Sequence, residues 1–447
     1  MWLGVRRARM RGEPLTHLTR ALASRPRHNE SIQLTILPWK RFFAFGGLQL
    51  VGAISPLLVL PVVVRLIGVD GWVGLSLGYA VGGAAGVAVN YGWPITGPSR
   101  VAAVSQDEAA TIFAESLFMR ATVALPVLAI AVLTACLLTP EGYRGLAGAM
   151  TVAMASYGLA PNWYYIGRGK PEGILRYEVL PKLAATVATI PLVLLTQLPL
   201  IYPILLLAAT MSGVIISARR ILSGHQNFTH FAPGLRSRYA SYGLVAASMV
   251  LGAGYSILAL PITQMAGTSL AQVANFAGSM RMRSMVQTGI TAGTSALQGW
   301  VSEQDQELSR RHRMRLALLT NAGLGAFAGL LLFSTGPLLG GALFGDAAEL
   351  SYTLSALTGL ACVPYALGTS LSFHILAPLQ RTRVVATSRI LATVVGVPLI
   401  FVMTRAGGAN GAAAAILISE SVVVLLQGFT VYRASLQSRR VKAALQT

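Results

Sequence analysis

Two arginines lie in an otherwise uncharged, apolar stretch of the chain. Residues 270–300 consist mostly of small and apolar side chains, and the charged residues among them are Arg281 and Arg283. A helix that rises about 1.5 Å per residue needs roughly 20 residues to cross the hydrocarbon of a bilayer. Any membrane register of this stretch therefore places both arginines well inside. A charge at that depth is tolerated where it faces a wet cavity, a partner or a ligand.

Helical geometry separates these two arginines, because residues two apart point about 200° apart around a helix. The stripe of Arg281 is small and polar, as a cavity wall or a close helix contact would be, and contains Ala274, Ala277, Gly278, Ser284, Thr288, Ala292, Ser295 and Gly299. The stripe of Arg283 is more apolar and contains Phe276, Ile290 and Leu297, with Gln287 and Thr294. We predict that Arg281 lines a cavity and binds an anion, and we include Arg283 among the candidate substrate-binding residues. The alternative is that one or both arginines snorkel or bond backbone carbonyls.

Glu420 is an acid in the middle of another apolar stretch, with Gln427 seven residues later on the same helical stripe. It could relay protons and so couple transport to an ion, or pair with an arginine. The alternative is a protonated acid with a packing role. His374 is a lone histidine, for which a structural role is the more ordinary one. The chain has no phosphate loop, no metal-ligand spacing and no Ser/His/Asp set, so we expect no enzyme active site, no cofactor and no metal.

Polar and aromatic residues cluster at the ends of two apolar stretches. The functional interpretation is an entrance at the cytosolic face, lined by rings that stack on sugars and by arginines that bind phosphate. The alternative is an aromatic belt at the membrane interface. The candidate residues are Asn90, Tyr91, Arg100, Trp163, Tyr165 and Arg168.

Composition identifies a polytopic membrane protein. The 447 residues are 54% hydrophobic and 11% charged, against about 25% charged residues in soluble domains. The net charge of +20 would suit nucleic acid, but the basic residues are spread among short loops, so we expect no nucleic-acid partner. Cys136 and Cys362 both fall in predicted spans, which leaves no disulfide framework.

The apolar segments number about twelve. Their predicted bounds are 42–64, 72–95, 117–138, 146–166, 175–195, 198–217, 239–264, 270–299, 314–337, 349–375, 384–403 and 408–431. Thirty of the 35 lysines and arginines fall in the two termini and in the loops after even-numbered segments, whereas the opposite loops hold Arg65, Arg144 and Arg405. By the positive-inside rule both termini are cytosolic.

Short sequence matches near a 200-residue offset predict two halves of the same orientation. Leu60-Pro61 matches Leu260-Pro261, and Val104-Ser105 matches Val301-Ser302. Parallel repeats of this kind occur in transporters with a central cavity. We therefore divide the chain into a basic cytosolic arm (1–39), an N-lobe (40–220), a linker (221–238), a C-lobe (239–432) and a basic tail (433–447). The arm could lie on anionic lipid, or it could result from a start codon assigned too early.

The ordered motifs resemble those of a known transporter family. They are Leu60-Pro61 with Arg65-Leu66 and Gly68-Val69-Asp70-Gly71, Asn90-Tyr91-Gly92 with Arg100, the pattern Pro161-x-Trp163-x-Tyr165-x-Gly167, and the run from Phe276 to Arg281. In this order they resemble polysaccharide flippases of the O-antigen and teichoic-acid export type, in the multidrug/oligosaccharidyl-lipid/polysaccharide exporter superfamily. Asn90 and Met280 depart from the family pattern, which favours an acid at both positions.

The resemblance implies an all-α membrane protein of about twelve transmembrane helices, arranged as two six-helix lobes around a central cavity. It implies flipping of a polyprenyl-pyrophosphate-linked oligosaccharide or related anionic glycolipid for cell-surface polysaccharide synthesis. The implied partners are this lipid-linked glycan, the bilayer, and a glycan polymerase or glycosyltransferases of the same pathway. The alternatives are a drug/cation antiporter of the same superfamily, a membrane-embedded glycosyl or acyl transferase, and a structural scaffold.

Overall fold

The structure, a computed structural model, describes residues 39–223, 235–302 and 307–444. Residues 41–447 form one compact unit. The predicted arm lies outside the described residues except for its last position, as does most of the predicted linker. The described residues are helical and contain no strand.

Fifteen α-helices, which we number α1 to α15, make up the described part of the chain. Their bounds are α1 Trp39–Asn90, α2 Trp93–Ala102, α3 Gln106–Leu138, α4 Arg144–Ala155, α5 Asn162–Gly167, α6 Pro171–Ile174, α7 Leu180–Thr196, α8 Ile201–Leu222, α9 Leu235–Ile257, α10 Ala259–Met265, α11 Leu270–Ser302, α12 Glu307–Phe344, α13 Tyr352–Leu360, α14 Cys362–Ser370 and α15 Thr382–Ala444.

The two longest helices are each broken at glycine. In α1 the break is Gly68, with φ of 64° and ψ of −164°. In α15 the break comprises Gly407 and Gly408, the latter with φ of 55°. A positive φ strains residues with a Cβ atom and not glycine. Each break falls between two apolar segments that the sequence predicts as separate, so α1 and α15 each comprise two segments.

Several helices could span a bilayer. By length and composition seven helices among the described residues are suited to cross a membrane, or eight if the bent pair Val245–Ile257 and Ala259–Met265 is one span. The chain is therefore a multi-pass membrane protein, and the predicted all-helical, polytopic fold class is confirmed to this extent. A total of twelve spans in two lobes stays a prediction.

Glycines set the distance between packed helices in both halves of the chain. A Cβ atom on Gly78 of α1 would lie 2.4 Å from the carbonyl oxygen of Ala147 in α4. Gly329 of α12 and Gly359 of α13 pack backbone against backbone, and a Cβ on either would meet the other's carbonyl oxygen at 2.4–2.5 Å. Because lipid supplies little hydrophobic force between helices, close van der Waals packing of small residues holds them together.

Several basic residues that we assign to cytosolic loops from the sequence lie within helices instead. Helix α3 begins at Gln106, well before the predicted residue 117, because the Ser105 side chain caps it by accepting from the backbone N–H of Glu108 at 3.3 Å. Arg120 is consequently well inside α3 and fully buried. Lys182 lies in α7 and pairs with Glu178 at 2.9 Å. Arg219 and Arg220 of α8 and Arg389 of α15 are likewise helical, so basic residues assigned to loops also occupy helices.

Candidate functional site

A cavity of about 320 Å³ lies between the two predicted halves. Its volume is at the lower end of the roughly 300–1,000 Å³ usual for small-molecule sites. The first half contributes Leu60, Trp72, Leu75, Ser76, Tyr79, Ala80, Gly83, Val87, Met150 and Tyr202. The second half contributes Ser256, Ile257, Leu260, Ala277, Met280, Arg281, Arg283, Ser284 and Gln287. Leu60 and Leu260, which match in the sequence repeat, both line this cavity.

Arg281 reaches across the cavity to aromatic rings of the first half. Its guanidinium carbon lies 4.2 Å from the centroid of the Tyr79 ring, a cation–π contact. Tyr202, which also lines the cavity, and Tyr157 are near enough to interact with it electrostatically. Its Nε atom is buried and has no hydrogen-bond partner among the described residues. Arg281 is thus a cation with aromatic neighbours and spare donor capacity.

Arg283 is bound by a carboxylate of its own half. Its Nη2 atom donates to Oε1 of Glu420 at 2.5 Å, and the two side chains are only 2% and 6% exposed. The amide of Gln287, oriented so that both groups are satisfied, accepts from Nη2 at 3.0 Å and from Nη1 at 3.2 Å. This ion pair joins α11 to α15. Of the possibilities for Glu420, pairing with an arginine is the one seen in this structure.

Both arginines border the cavity although their backbone positions face different ways. The cavity side of α11 is formed by Ala277, Met280, Arg281 and Ser284. Arg283 reaches the same space from the flank of this stripe, since a long side chain covers much of a helix surface. Helical periodicity alone assigns Arg281 and Arg283 to different faces of α11, whereas in the structure both side chains reach the same cavity.

The cavity wall carries positive charge. Among the described residues that line it there are two arginines and no carboxylate. Glu420 stands behind Arg283 and neutralises it, so the three groups together carry about one positive charge. In a site with little water such a charge attracts anions far more strongly than it would in solution. The arrangement suits an anionic group.

The two halves meet at one end of the cavity through an indole and a guanidinium. The Trp72 Nε1–H donates to the carbonyl of Ala274 at 3.1 Å, and the Trp72 ring packs on Phe344 with centroids 5.0 Å apart. Nearby, Arg65 donates to the carbonyl of Ala342 at 2.9 Å. We call this set the outer contact, because Arg65 lies in a predicted outer loop.

The halves meet again at the other end of the cavity, through residues that follow α1. The Tyr91 hydroxyl donates to the carbonyl of Tyr239 at 3.0 Å. The Trp93 ring stacks on Tyr242 at 4.8 Å, and Arg100 donates to the Tyr242 hydroxyl. We call this set the inner contact. The cavity residues of α1 that lie between Trp72 and Tyr91 are thus flanked by a contact on each side.

The predicted sugar-stacking residues lie in a packed cluster beside the inner contact and do not line the cavity. Trp163 and Tyr165 are only 1% and 7% exposed, so protein atoms already cover their rings. Arg168 donates to the carbonyls of Val101 and Val104, both at 3.0 Å. In this conformation protein atoms cover the two rings, and the partly buried Arg168 bonds backbone carbonyls. The entrance stays a prediction.

Asn90, Tyr91 and Arg100 complete the set predicted from the sequence. Asn90 ends α1 and is partly buried. Tyr91 and Arg100 belong to the inner contact, where they bind residues of α9. The structure therefore places Arg281, Arg283 and Glu420 together, and places the other candidates at a separate position nearer the inner end.

Arg120 is a buried cation that sequence reasoning does not single out. It is 0% exposed and its Nη1 atom donates to the carbonyls of Gly158 and Ala160 at 3.1 and 3.0 Å. Its guanidinium also lies 5.9 Å from the Trp163 ring. It satisfies the backbone where helical structure ends before Pro161, a structural task. Its position inside the predicted segment 117–138 is the sequence signal that could have identified it.

His374 is fully buried and hydrogen-bonded on both sides. Its Nδ1 atom bonds the Ser370 hydroxyl at 2.9 Å, and its Nε2 atom bonds the Thr294 carbonyl at 3.0 Å. These bonds tie α11 to the helical turn after α14. Among the described residues no three His, Cys, Asp or Glu side chains are grouped to hold a metal.

No protein-family model matches the sequence, and no curated protein matches it significantly. Solved structures do match. The lipid II flippase MurJ in an inward closed conformation superposes with a TM-score of 0.66 at 11% identity, over 88% of this chain and 87% of that chain. An inward-facing multidrug resistance MATE family transporter of the MOP superfamily gives 0.60 at 14% identity, over 91% and 96%. A MOP superfamily transporter from Pyrococcus furiosus, described by the reverse polarity of its binding pocket, gives 0.59 at 15% identity, over 91% and 96%.

Proposed function

We infer that the protein is a transporter from its fold, which is that of MOP-superfamily transporters and confirms the predicted likeness to that superfamily at the level of the fold. We propose that the protein flips a polyprenyl-pyrophosphate-linked oligosaccharide, or a related anionic glycolipid, across the bacterial cytoplasmic membrane for cell-surface polysaccharide synthesis. The observation that carries this proposal is the pair of arginines in the cavity between the halves, with no carboxylate among the described lining residues. Arg281, with its uncommitted Nε, is the proposed primary ligand of the diphosphate.

The chemistry of such a substrate suits the site. A diphosphate presents planar sets of oxygens that a guanidinium fork binds bidentately. Tyr79 and Tyr202 offer ring faces and hydroxyl groups of the kind that contact sugars. The polyprenyl tail needs no polar site, since it can stay in lipid while the head group occupies the cavity. The likeness to a lipid II flippase structure supports the same class of substrate.

The second candidate is a drug/cation antiporter, and its specific support is the likeness to a multidrug resistance transporter. Cation transport favours acidic groups in the cavity, because an organic cation needs a counter-charge once water is removed. Among the described residues the carboxylate of Glu420 lies next to this wall, and it is committed to Arg283. The charge of the described wall therefore favours the anionic substrate. A membrane-embedded transferase would need acids or histidines grouped at one face, and His374 is occupied by structural hydrogen bonds.

The proposal includes the remaining predicted architecture. Counting α1 and α15 as two segments each at their glycine breaks, and the bent α9–α10 pair as one span, supports twelve segments in two lobes, 40–220 and 239–432. Both termini would then be cytosolic, with the outer contact on the far side. Glycosyltransferases or a polymerase of the same pathway would be the partners that supply and consume the lipid-linked glycan.

A reconstituted system separates the two candidates. Purified protein is reconstituted in liposomes with a short-chain polyprenyl-diphosphate sugar that carries a dithionite-sensitive dye. Dithionite is then added outside, and the fraction of dye that it does not reduce is measured. In parallel the same vesicles are tested for ethidium transport driven by a proton or sodium gradient. With the wild-type protein we expect the labelled lipid to become accessible to dithionite. The same result is expected with Arg144→Ala, a control at an exposed arginine that pairs with Glu141. With Arg281→Ala the labelled lipid of the inner leaflet should stay protected. Ethidium transport without lipid flipping would overturn the proposal in favour of the antiporter.

A further inference from the structure

The bond between Glu420 and Arg283 has a consequence for any anion in the cavity. We infer that Glu420 is an internal counter-ion that competes with the substrate for Arg283, so that it limits anion affinity and permits release. This inference rests on the proposed function, because it assumes that an anion enters the cavity.

The competition follows from where the three groups lie. Arg283 lines the cavity, whereas Glu420 approaches it from α15 and is not among the lining residues. An anion in the cavity and the Glu420 carboxylate therefore approach the Arg283 guanidinium from different sides. Both side chains are almost completely buried, so water screens little of the charge of Glu420.

Arg283 retains the capacity to bind a second acceptor. A guanidinium has five N–H donors, and Glu420 and Gln287 accept three bonds from Nη1 and Nη2. The Nε atom is buried without a hydrogen-bond partner among the described residues. Gln287 itself lines the cavity, so an incoming oxyanion can replace its amide oxygen. Geometry thus permits an anion to bind, and the charge of Glu420 sets how tightly.

Arg281 differs from Arg283 in this respect. Its neighbours are the phenol rings of Tyr79, Tyr202 and Tyr157 rather than a carboxylate. Arg281 is therefore always available to bind one negative charge. Arg283 contributes to substrate binding only to the extent that the substrate outcompetes Glu420. A diphosphate carries the additional charge that this competition demands, whereas a single carboxylate does not.

Glu420 also has neighbours that can hold it while Arg283 turns to the substrate. The Tyr255 hydroxyl of α9 is within hydrogen-bonding reach of it, and Arg389 of α15 and Cys362 of α14 lie close to the same group of side chains. A carboxylate that keeps one donor after losing the arginine is far less costly than an isolated buried charge. The exchange is therefore physically accessible.

The test measures inorganic pyrophosphate binding to the purified full-length protein by titration calorimetry, with thermal unfolding recorded with and without the ligand. Glu420→Gln keeps the shape and removes the competing charge. We expect it to bind pyrophosphate at least about tenfold more tightly than wild type, which corresponds to about 1.4 kcal/mol. We also expect it to unfold at a lower temperature without ligand, because Arg283 loses its counter-ion, and to gain more stability from pyrophosphate.

Two variants keep the test decisive. Glu178→Gln is the matched control, since it removes another helix carboxylate, paired with Lys182, that does not line the cavity. Its affinity for pyrophosphate should equal that of wild type. Glu420→Asp keeps the charge on a shorter side chain and should fold if Glu420→Gln does not; its affinity should fall between wild type and the Gln variant.

The outcomes distinguish this inference from the proposed function. Binding that depends on Arg281 but is unchanged or weaker in the Glu420 variants would overturn the counter-ion role and leave the anionic substrate standing. Equal tightening in Glu178→Gln would also overturn it, because the effect would then be general. If pyrophosphate binds none of the variants, both the counter-ion role and the proposed function fail.

Discussion

Replacing Arg281 with alanine is the most direct perturbation of the proposed anion site. The change removes a guanidinium that lies on the cavity wall, 4.2 Å from the Tyr79 ring, and whose Nε atom has no hydrogen-bond partner among the described residues. It requires no additional space. It should therefore affect ligand binding much more than folding.

The size of the effect can be worked from these contacts. A hydrogen bond to a charged group contributes about 1.5–3 kcal/mol, and a bidentate diphosphate contact makes two of them. At the lower end the loss is about 3 kcal/mol, or roughly a hundredfold weaker binding. For folding, the lost cation–π contact with Tyr79 contributes about 0.5–2 kcal/mol. Removing a partly buried charge offsets much of that, so the unfolding temperature should change little.

The assay pairs pyrophosphate titration with complementation of glycan export in a strain that lacks its own flippase, with membrane abundance measured for every variant. Arg281→Lys keeps the charge and loses the fork, so its affinity should be intermediate. Tyr79→Phe keeps the ring under the guanidinium and should bind nearly as wild type does. Normal binding and export by Arg281→Ala at normal abundance would refute the cationic-cavity reasoning.

Three further results are expected. Reporter fusions at Thr447 and within 138–145 should report opposite sides of the membrane, and signals from the same side would contradict the twelve-span topology. Trp72→Ala removes the bond to Ala274 and the packing in the outer contact, so a cysteine placed at Ser76 should react faster with a membrane-impermeant thiol reagent from outside; an unchanged rate would contradict a role of the outer contact in closing the cavity on that side. Gly329→Leu should lower the unfolding temperature by several degrees in a thermal melt, because no side chain fits where helices α12 and α13 touch; an unchanged melt would refute the close packing.

The elements of the fold could be predicted from the sequence because hydropathy acts locally. Apolar length identifies the helices, and Gly68 and Gly408 stand where the chain needs a positive φ between two segments. The ends of the helices are predicted less accurately than the helices themselves. The cap at Ser105 moves the start of α3 outward from the predicted residue 117 by more than two turns. Hydropathy windows register the apolar middle of a helix and not the polar turns that precede it.

The aromatic cluster shows why composition alone overstates a ligand site. Trp163 and Tyr165 have the side chains that sugars stack on, but so does any tightly packed interface of helix ends. Trp93 packs on the ring of Trp163, Tyr177 stacks on the ring of Tyr165, and Tyr164 contacts both edge-on. Whether an aromatic ring is open depends on which helices meet there, and the sequence of one helix does not contain that information.

The pairing of Arg283 with Glu420 is the corresponding case for charge. The two residues are 137 positions apart, so no helical periodicity relates them, and only the packing of α11 on α15 brings them together. Once they are paired, the free-energy cost of placing two arginines inside the protein is offset differently for each. One is balanced by a carboxylate, while the other rests on aromatic rings from the opposite half. That division makes the arginines chemically unequal although they are two residues apart on one helix. An anion that enters between the halves can therefore bind Arg281 directly, whereas it must compete with Glu420 for Arg283.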